Sequence, residues 1–143
     1  MPIRQIDYLT SDYRQMIRLR DEILRKPLGL TFSKEDLEEE KNDILIGAFD
    51  DGKMLGCCVL TKLDNETIRL RQMAVKDKVQ RMGIGASLLY YAENLARDKG
   101  YRHIVLHARD FATGFYEKFG YRISGDQFTE VNIPHFLMAK ELR

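Results

Sequence analysis

Gln80-Arg81-Met82-Gly83-Ile84-Gly85-Ala86 is the stretch from which the rest of the chain is read. It lies between a strand-like run, residues 67–75, and an amphipathic helix that continues to Lys99. A glycine-bearing turn that opens a helix leaves main-chain N–H groups without partners. The positive end of the helix dipole stands behind them, so the turn suits an anion such as phosphate. Arg81, Lys76 and Lys78 add mobile positive charge to the same loop.

Downstream, Ile84, Leu88, Leu89, Ala92, Leu95 and Ala96 form an apolar stripe at helical spacing, and Gly100 caps the helix end. Ile104-Val105-Leu106 then reads as a strand covered on both faces. Strand, helix and strand of these lengths make a right-handed crossover with the two strands parallel. A short helix over 110–119 ends at Gly120, and strands are expected over 121–129 and 134–142.

Upstream, residues 3–9 read as a first strand. Ser11 is the expected cap of a helix whose stripe is Tyr13, Met16, Ile17, Arg20, Ile23 and Leu24, with Arg20 the one fault in it. Pro27 and Gly29 stop that helix. Ser33 and Asp36 form a capping box for a short acidic helix over 35–41, read as a solvated face rather than a substrate-attracting rim. Runs at 43–49 and 53–63 flank the hairpin turn Asp50-Asp51-Gly52, and a turn at Asp64-Asn65-Glu66 leads into 67–75. The result is an antiparallel meander of three strands. In its third strand the apolar parity switches, from Ile68 and Leu70 to Met73 and Val75. A flat strand with one buried face forbids that switch, so a β-bulge is expected at Arg71-Gln72.

With 143 residues and no linker or repeat, the chain reads as one mixed α/β domain over 1–143. Its 23 basic and 22 acidic residues nearly cancel, which gives no case for a nucleic-acid partner. No apolar run has membrane-spanning length. Cys57 and Cys58 are adjacent in a strand and point to opposite faces, so the expectation is a reduced, cytoplasmic protein without a disulfide. Two cysteines with no second pair make a poor zinc site, and no metal is expected.

Two nucleotide-binding readings of the glycine turn fail. A dinucleotide fingerprint would place a small residue where Leu88 stands, and a Walker loop would end in Gly-Lys-Ser/Thr. Instead, Gln80-x-x-Gly83-x-Gly85 resembles the Q/R-x-x-G-x-G/A signature of the GNAT superfamily of N-acetyltransferases. Phe115-Tyr116-Glu117-Lys118-Phe119-Gly120-Tyr121 is similar to that family's F/L-Y-x-K-x-G-F/Y segment. The run from Ser124 through Phe128 and Glu130 to His135 and Met138 resembles the ElaA-like branch.

The resemblance implies a GNAT-like fold: a mostly antiparallel mixed sheet of six to seven strands, one parallel strand–helix–strand unit, and helices on both faces. It implies acetyl transfer from acetyl-CoA to a small-molecule or peptide amine by direct attack on the thioester. The N–H groups of Arg81, Met82, Gly83, Ile84, Gly85 and Ala86, with Gln80, would hold the pyrophosphate. Met73, Ala74 and Val75 would pair with the pantetheine arm, and an N–H at Met73 or Val75 would face the developing oxyanion. Tyr116 would be the general acid for the departing thiolate. Glu130 and His135 are candidates for base or acceptor binding, and His107 ends the strand beside the cleft. Many members of that family carry Asn where Arg109 stands; the departure puts that contact in question, and Arg109 would serve the cofactor's phosphates or adenine region in its place. Alternative readings are a non-catalytic acyl-CoA-binding module and an interaction module with a vestigial loop. The acidic second helix favours a cationic acceptor such as a polyamine, an aminoglycoside or a lysine side chain. Monomer and homodimer both remain open.

Overall fold

A computed structural model describes residues 2–142. The chain runs β1 (Ile3–Ile6), α1 (Ser11–Arg20), α2 (Lys34–Glu38), β2 (Ile44–Asp50), β3 (Lys53–Lys62), β4 (Thr67–Val75), α3 (Ile84–Asp98), β5 (His103–Arg109), α4 (Thr113–Glu117), β6 (Arg122–Ile123), β7 (Phe128–Glu130) and β8 (Ile133–Glu141). The strands form one open sheet in the order β1-β2-β3-β4-β5-β8-β6, with β7 on β8. Among the described residues only β4 and β5 pair in parallel, as the crossover through α3 requires. Among the described residues, no helix is long and apolar enough to cross a membrane.

The sheet separates two cores. On one face Ile68, Leu70, Ile104 and Leu106 pack against Leu88, Leu89 and Ala92 of α3. On the other, Leu45, Cys57 and Val59 pack against Tyr13, Met16 and Leu19 of α1. Cys57 and Cys58 belong to opposite cores and are free thiols. Gly56 lets α3 sit close to the sheet: a Cβ there would lie 2.9 Å from Ile84 and 3.0 Å from Leu88. The close approach is thus achieved from the strand side, without a small residue at 88.

Several boundaries differ from the sequence reading, each for a local reason. The sheet has eight strands, not six or seven, because 121–129 splits into β6 and β7 around Gly125 at φ 83°. Thr10, not Ser11, caps α1, since Thr10 is the residue with extended backbone and its side chain accepts from the Tyr13 N–H. The first strand stops at Ile6, before Leu9 at φ 64°. The acidic helix tightens to 3₁₀ over Glu39–Asn42, and 110–119 begins as a 3₁₀ turn at Asp110–Ala112. Val105 and His107 of β5 are only half-buried, and at His107 that face opens into a cleft.

Arg20 and Glu40 change meaning altogether. Arg20 is not a fault in a stripe but the inner half of a fully buried ion pair. Its guanidinium donates to Glu40 Oε1 at 2.8 Å and to Oε2 at 2.6 Å. Tyr13 Oη adds a third bond to Glu40 at 2.9 Å. The rest of the acidic segment is solvated, as Glu35, Glu38 and Glu39 are exposed.

Candidate active site

The site arises where β4 and β5 part. Their pairing runs from Thr67 opposite His103 to Leu70 opposite Leu106 and goes no further. The register of β4 against β3 shifts at the same place: Cys57 faces Ala74 while Val59 faces Arg71, so β4 holds one extra residue. Gln72, at φ 56°, is that residue, and the bulge expected from the parity switch is present. Beyond it, the β5-side main-chain groups of Met73, Ala74 and Val75 have no strand partner. A cleft of about 640 Å³ opens between the diverging strands.

On the α3 side the cleft meets the glycine turn. Residues Asp77–Met82 form a 3₁₀ helix that contains Gln80, Arg81 and Met82. Gly83, at φ 79°, then redirects the chain into α3, whose first intrahelical bond runs from Ser87 N–H to the Gly83 carbonyl. Helix geometry therefore leaves the N–H groups of Gly83, Ile84, Gly85 and Ala86 without intrahelical acceptors. A Cβ at Gly83 would meet nothing within 4 Å, and one at Gly85 would make ordinary contact with Phe115 at 3.4 Å and Val75 at 3.9 Å. The open turn and the unpartnered strand segment suit a phosphate-bearing, extended ligand. Gln80 is exposed, and its amide donates to the Val75 carbonyl at 3.0 Å and to Asp77 at 3.1 Å, tying the loop to the end of β4. The Ile84 side chain is core, whereas Arg81 and Met82 are exposed.

Tyr116 reaches the same cleft from α4. It is 8% exposed, packed edge-on against Phe115 and Tyr121, and its hydroxyl has no hydrogen-bond partner among the described residues. Burial, aided by Cys58 beside it, pushes the phenol above its ordinary value, so it keeps its proton.

The opposite face holds a polar cluster. His107 Nδ1 lies 2.8 Å from Arg69 Nη2 and 3.0 Å from Glu130 Oε1. That nitrogen accepts from Arg69 in one tautomer and donates to Glu130 in the other. Burial pushes the Glu130 carboxyl up. The His107 hydrogen bond and the charges of His107, Arg69 and His135 outweigh it and hold Glu130 below the ordinary carboxylate range. His135 is buried, donates Nδ1–H to the Ile133 carbonyl at 2.8 Å, and turns Nε2 towards Glu130 at 3.7 Å. Phe128 stacks on His135 and meets His107 edge-on. The β7–β8 turn that delivers Glu130 has Val131 and Asn132 both at positive φ. Arg109 points away from the glycine turn and donates to the Leu24 carbonyl at 3.2 Å.

Of the residues singled out from sequence, the cleft brings together Met73, Ala74, Val75, Gln80, Gly83, Gly85 and Ala86 with Arg109, Tyr116, Glu130 and His135. Sequence reasoning missed as cleft residues Ile23, Leu24 and Arg25, which lie half-buried on the π-helix Asp21–Arg25 that continues α1 and line the cleft. It also missed Arg69 and Arg71, whose signal was charge on the polar face of a central strand.

Bacillus subtilis YyaT, an uncharacterised protein, is 33% identical over 81 residues, 57% of this chain and 55% of its own length. The chain thus spans about half the length of the first curated relatives it matches. An aminoglycoside 6'-N-acetyltransferase solved with coenzyme A superposes with a TM-score of 0.85 at 22% identity, covering 100% of this chain and 98% of that one. Escherichia coli ElaA gives a TM-score of 0.85 at 15% identity over 99% of this chain and 100% of its own, a likeness of fold alone. Residues 27–142 match the model described as the acetyltransferase (GNAT) domain. The diverging strands, the bulge and the glycine turn all lie inside that match, and the chain belongs to the GNAT family of acetyltransferases.

Proposed function

We propose that the protein is an acetyl-CoA-dependent N-acetyltransferase that acts on a primary amine, of the ElaA-like branch on its 124–138 run. The observation that carries this is the break between β4 and β5. It places an unpaired strand segment, the open glycine turn and the unpartnered Tyr116 hydroxyl around one cleft. The N–H groups of Gly83 to Ala86 would hold the pyrophosphate, with Arg81 as a mobile counter-charge. Met73 to Val75 would pair with the pantetheine arm. Acetyl-CoA supplies an acyl group activated as a thioester, so the protein's own task is to place the amine and manage protons.

Tyr116 holds a proton at its hydroxyl for the departing sulfur, and burial keeps it there across the assay range. The amine's proton goes to the Glu130–His107 pair, with Glu130 ionised at neutral pH. Both cysteine thiols are buried, so transfer is direct rather than through an acyl-cysteine. Thiol release from acetyl-CoA over an amine panel, with the product identified by mass, tests the reading. Tyr116→Phe should lower kcat about 100-fold while CoA affinity measured by calorimetry is unchanged. Unchanged turnover across pH would remove Tyr116 from the mechanism. CoA binding without turnover of any amine would favour the acyl-CoA-binding module.

A further inference from the structure

The charges on the acceptor side of the cleft are the reverse of what the acidic helix suggested. Ile68 and Leu70 face α3, so Arg69 and Arg71 between and beyond them face the α1 side. By the same alternation, Ile104, Leu106 and Ala108 face α3, and His107 and Arg109 face α1. Arg25 reaches this face from the π-helix. The cleft is therefore lined by four guanidinium groups and one carboxylate, that of Glu130.

Two of the four are matched. Arg71 pairs with Asp43 at 3.5 Å, and Arg69 lies 3.8 Å from Glu130. Arg25 and Arg109 have no ion-pair partner among the described residues. Arg25 lies over the Phe32 ring at 4.6 Å, and Arg109 donates only to the carbonyl of Leu24, the neighbour of Arg25. Burial holds both below the ordinary arginine range, and Arg25 adds to the effect on Arg109. Half-burying two guanidinium groups with no carboxylate in contact with either is costly unless a ligand supplies one. The pyrophosphate site lies on the opposite face, at the α3 turn, and does not supply it. The nearby acids are engaged elsewhere: Glu40 is taken by Arg20 and Tyr13, and Asp43 by Arg71. Asp36, which acts on Arg25, caps its helix at Ser33, and Glu130, which acts on both arginines, is held by His107 and Arg69.

Resting on the acetyltransferase reading above, we infer that the acceptor is an anionic amine, with a carboxylate or phosphate a few bonds from its primary amino group, and that Arg25 and Arg109 bind that anion. Planar guanidinium forks match both groups. The same positive field disfavours an ammonium ion, which helps present the amine as the neutral nucleophile. A polyamine or aminoglycoside would meet it as repulsion.

The test is thiol release by the full chain with glycine, β-alanine, 4-aminobutyrate and 2-aminoethyl phosphate. Each is run beside its amide or alcohol counterpart, and 1,3-diaminopropane is the cationic member. Anionic members should exceed their neutral counterparts about tenfold or more in kcat/KM, and their KM should rise with ionic strength. The carboxylate and phosphate arms decide which anion is meant. Arg25→Met and Arg109→Met should each remove most of the preference through KM and leave neutral amines within about twofold, with Lys at either position recovering part. Equal or better use of neutral or cationic amines would overturn the proposal and leave the acetyltransferase reading intact. So would Met variants that depress all amines alike. If no member is turned over, calorimetry with the CoA-bound protein decides, and no tighter binding of the anionic members overturns the proposal. Failure to bind CoA itself would overturn the underlying reading, and this one with it.

Discussion

Replacing Arg20 by Met should be among the most damaging single changes on the α1 side of the sheet. Methionine keeps most of the length and fits an apolar site, so the change isolates charge from volume. It deletes two charge-assisted hydrogen bonds, 2.8 and 2.6 Å long, between side chains that are 0% and 2% exposed. Glu40 is left with the Tyr13 hydroxyl at 2.9 Å and Arg71 at 4.0 Å, too little to replace a bidentate partner. Breaking one side of such a pair costs about 3–5 kcal/mol, a large part of the roughly 5–15 kcal/mol available to a domain. The midpoint of thermal unfolding should fall by roughly 10–20 °C at about 4 °C per kcal/mol. Urea unfolding with an unchanged m-value would measure the loss. The variant R20M/E40Q removes both charges of this pair and keeps an acceptor for Tyr13, so it should be more stable than R20M alone. A coupling of at least about 2 kcal/mol is expected from the cycle. An R20M protein within about 1 kcal/mol of the parent, or two single losses that simply add, would refute the reasoning.

Two further outcomes follow from buried and partly buried acids. Burial pushes the Cys57 thiol up to about 12, and Cys58 is also well above its ordinary value. At pH 8 roughly one Cys57 in ten thousand would be ionised. An aromatic disulfide reagent should therefore find no fast thiol in the folded protein and two in denaturant, and a fast stoichiometric reaction would revive the acyl-cysteine route. For Glu130 the folded value lies below the ordinary 4.5. Its contribution to stability is thus present above that value and lost as pH falls through the folded one. Glu130→Gln should be less stable than the parent at pH 7, by under about 1 kcal/mol because the side chain is 40% exposed. The two curves should converge in acid, and a gap that widened there would contradict the assignment.

What the sequence disclosed and what it hid follow one division. Features set by neighbours along the chain were legible: the capping box at Ser33 and Asp36, the α3 stripe, the hairpin at Asp51 and Gly52, the glycine turn. Features set by residues meeting across the fold were not. Arg20 and Glu40 are 20 positions apart, and each alone reads as a charge in the wrong place or on a solvated face. The π-helix at Asp21–Arg25 has the composition of one more α-helical turn. Nothing in Val131 announces a positive φ, because a β-branched residue there is held by its surroundings. In the site, the turn and Tyr116 carried recognisable spacing, while Arg25 and Arg109 come from segments 84 positions apart that only the folded sheet unites.

The bulge at Gln72 links the two halves of the site. Without it, positions 69, 71, 73 and 75 would share one face, and Met73 and Val75 would stand among the arginines on the α1 side. With it, Arg69 and Arg71 stay on that side while Met73 and Val75 return to the α3 core, and Ala74 joins the other. A non-glycine residue in the left-handed region costs about 1–3 kcal/mol. Burying a methionine and a valine side chain contributes about 1.5–3 kcal/mol each at full burial, so partial burial of both offsets the strain. The same inserted residue falls where β4 leaves β5, so packing that satisfies the core also leaves main-chain groups unpaired at the cleft. Strand divergence and an apolar seat on the α3 side are therefore consequences of one local event, while the arginines keep the α1 side of the cleft. A parity change within nine residues therefore marks the point at which β4 bulges and the cleft opens.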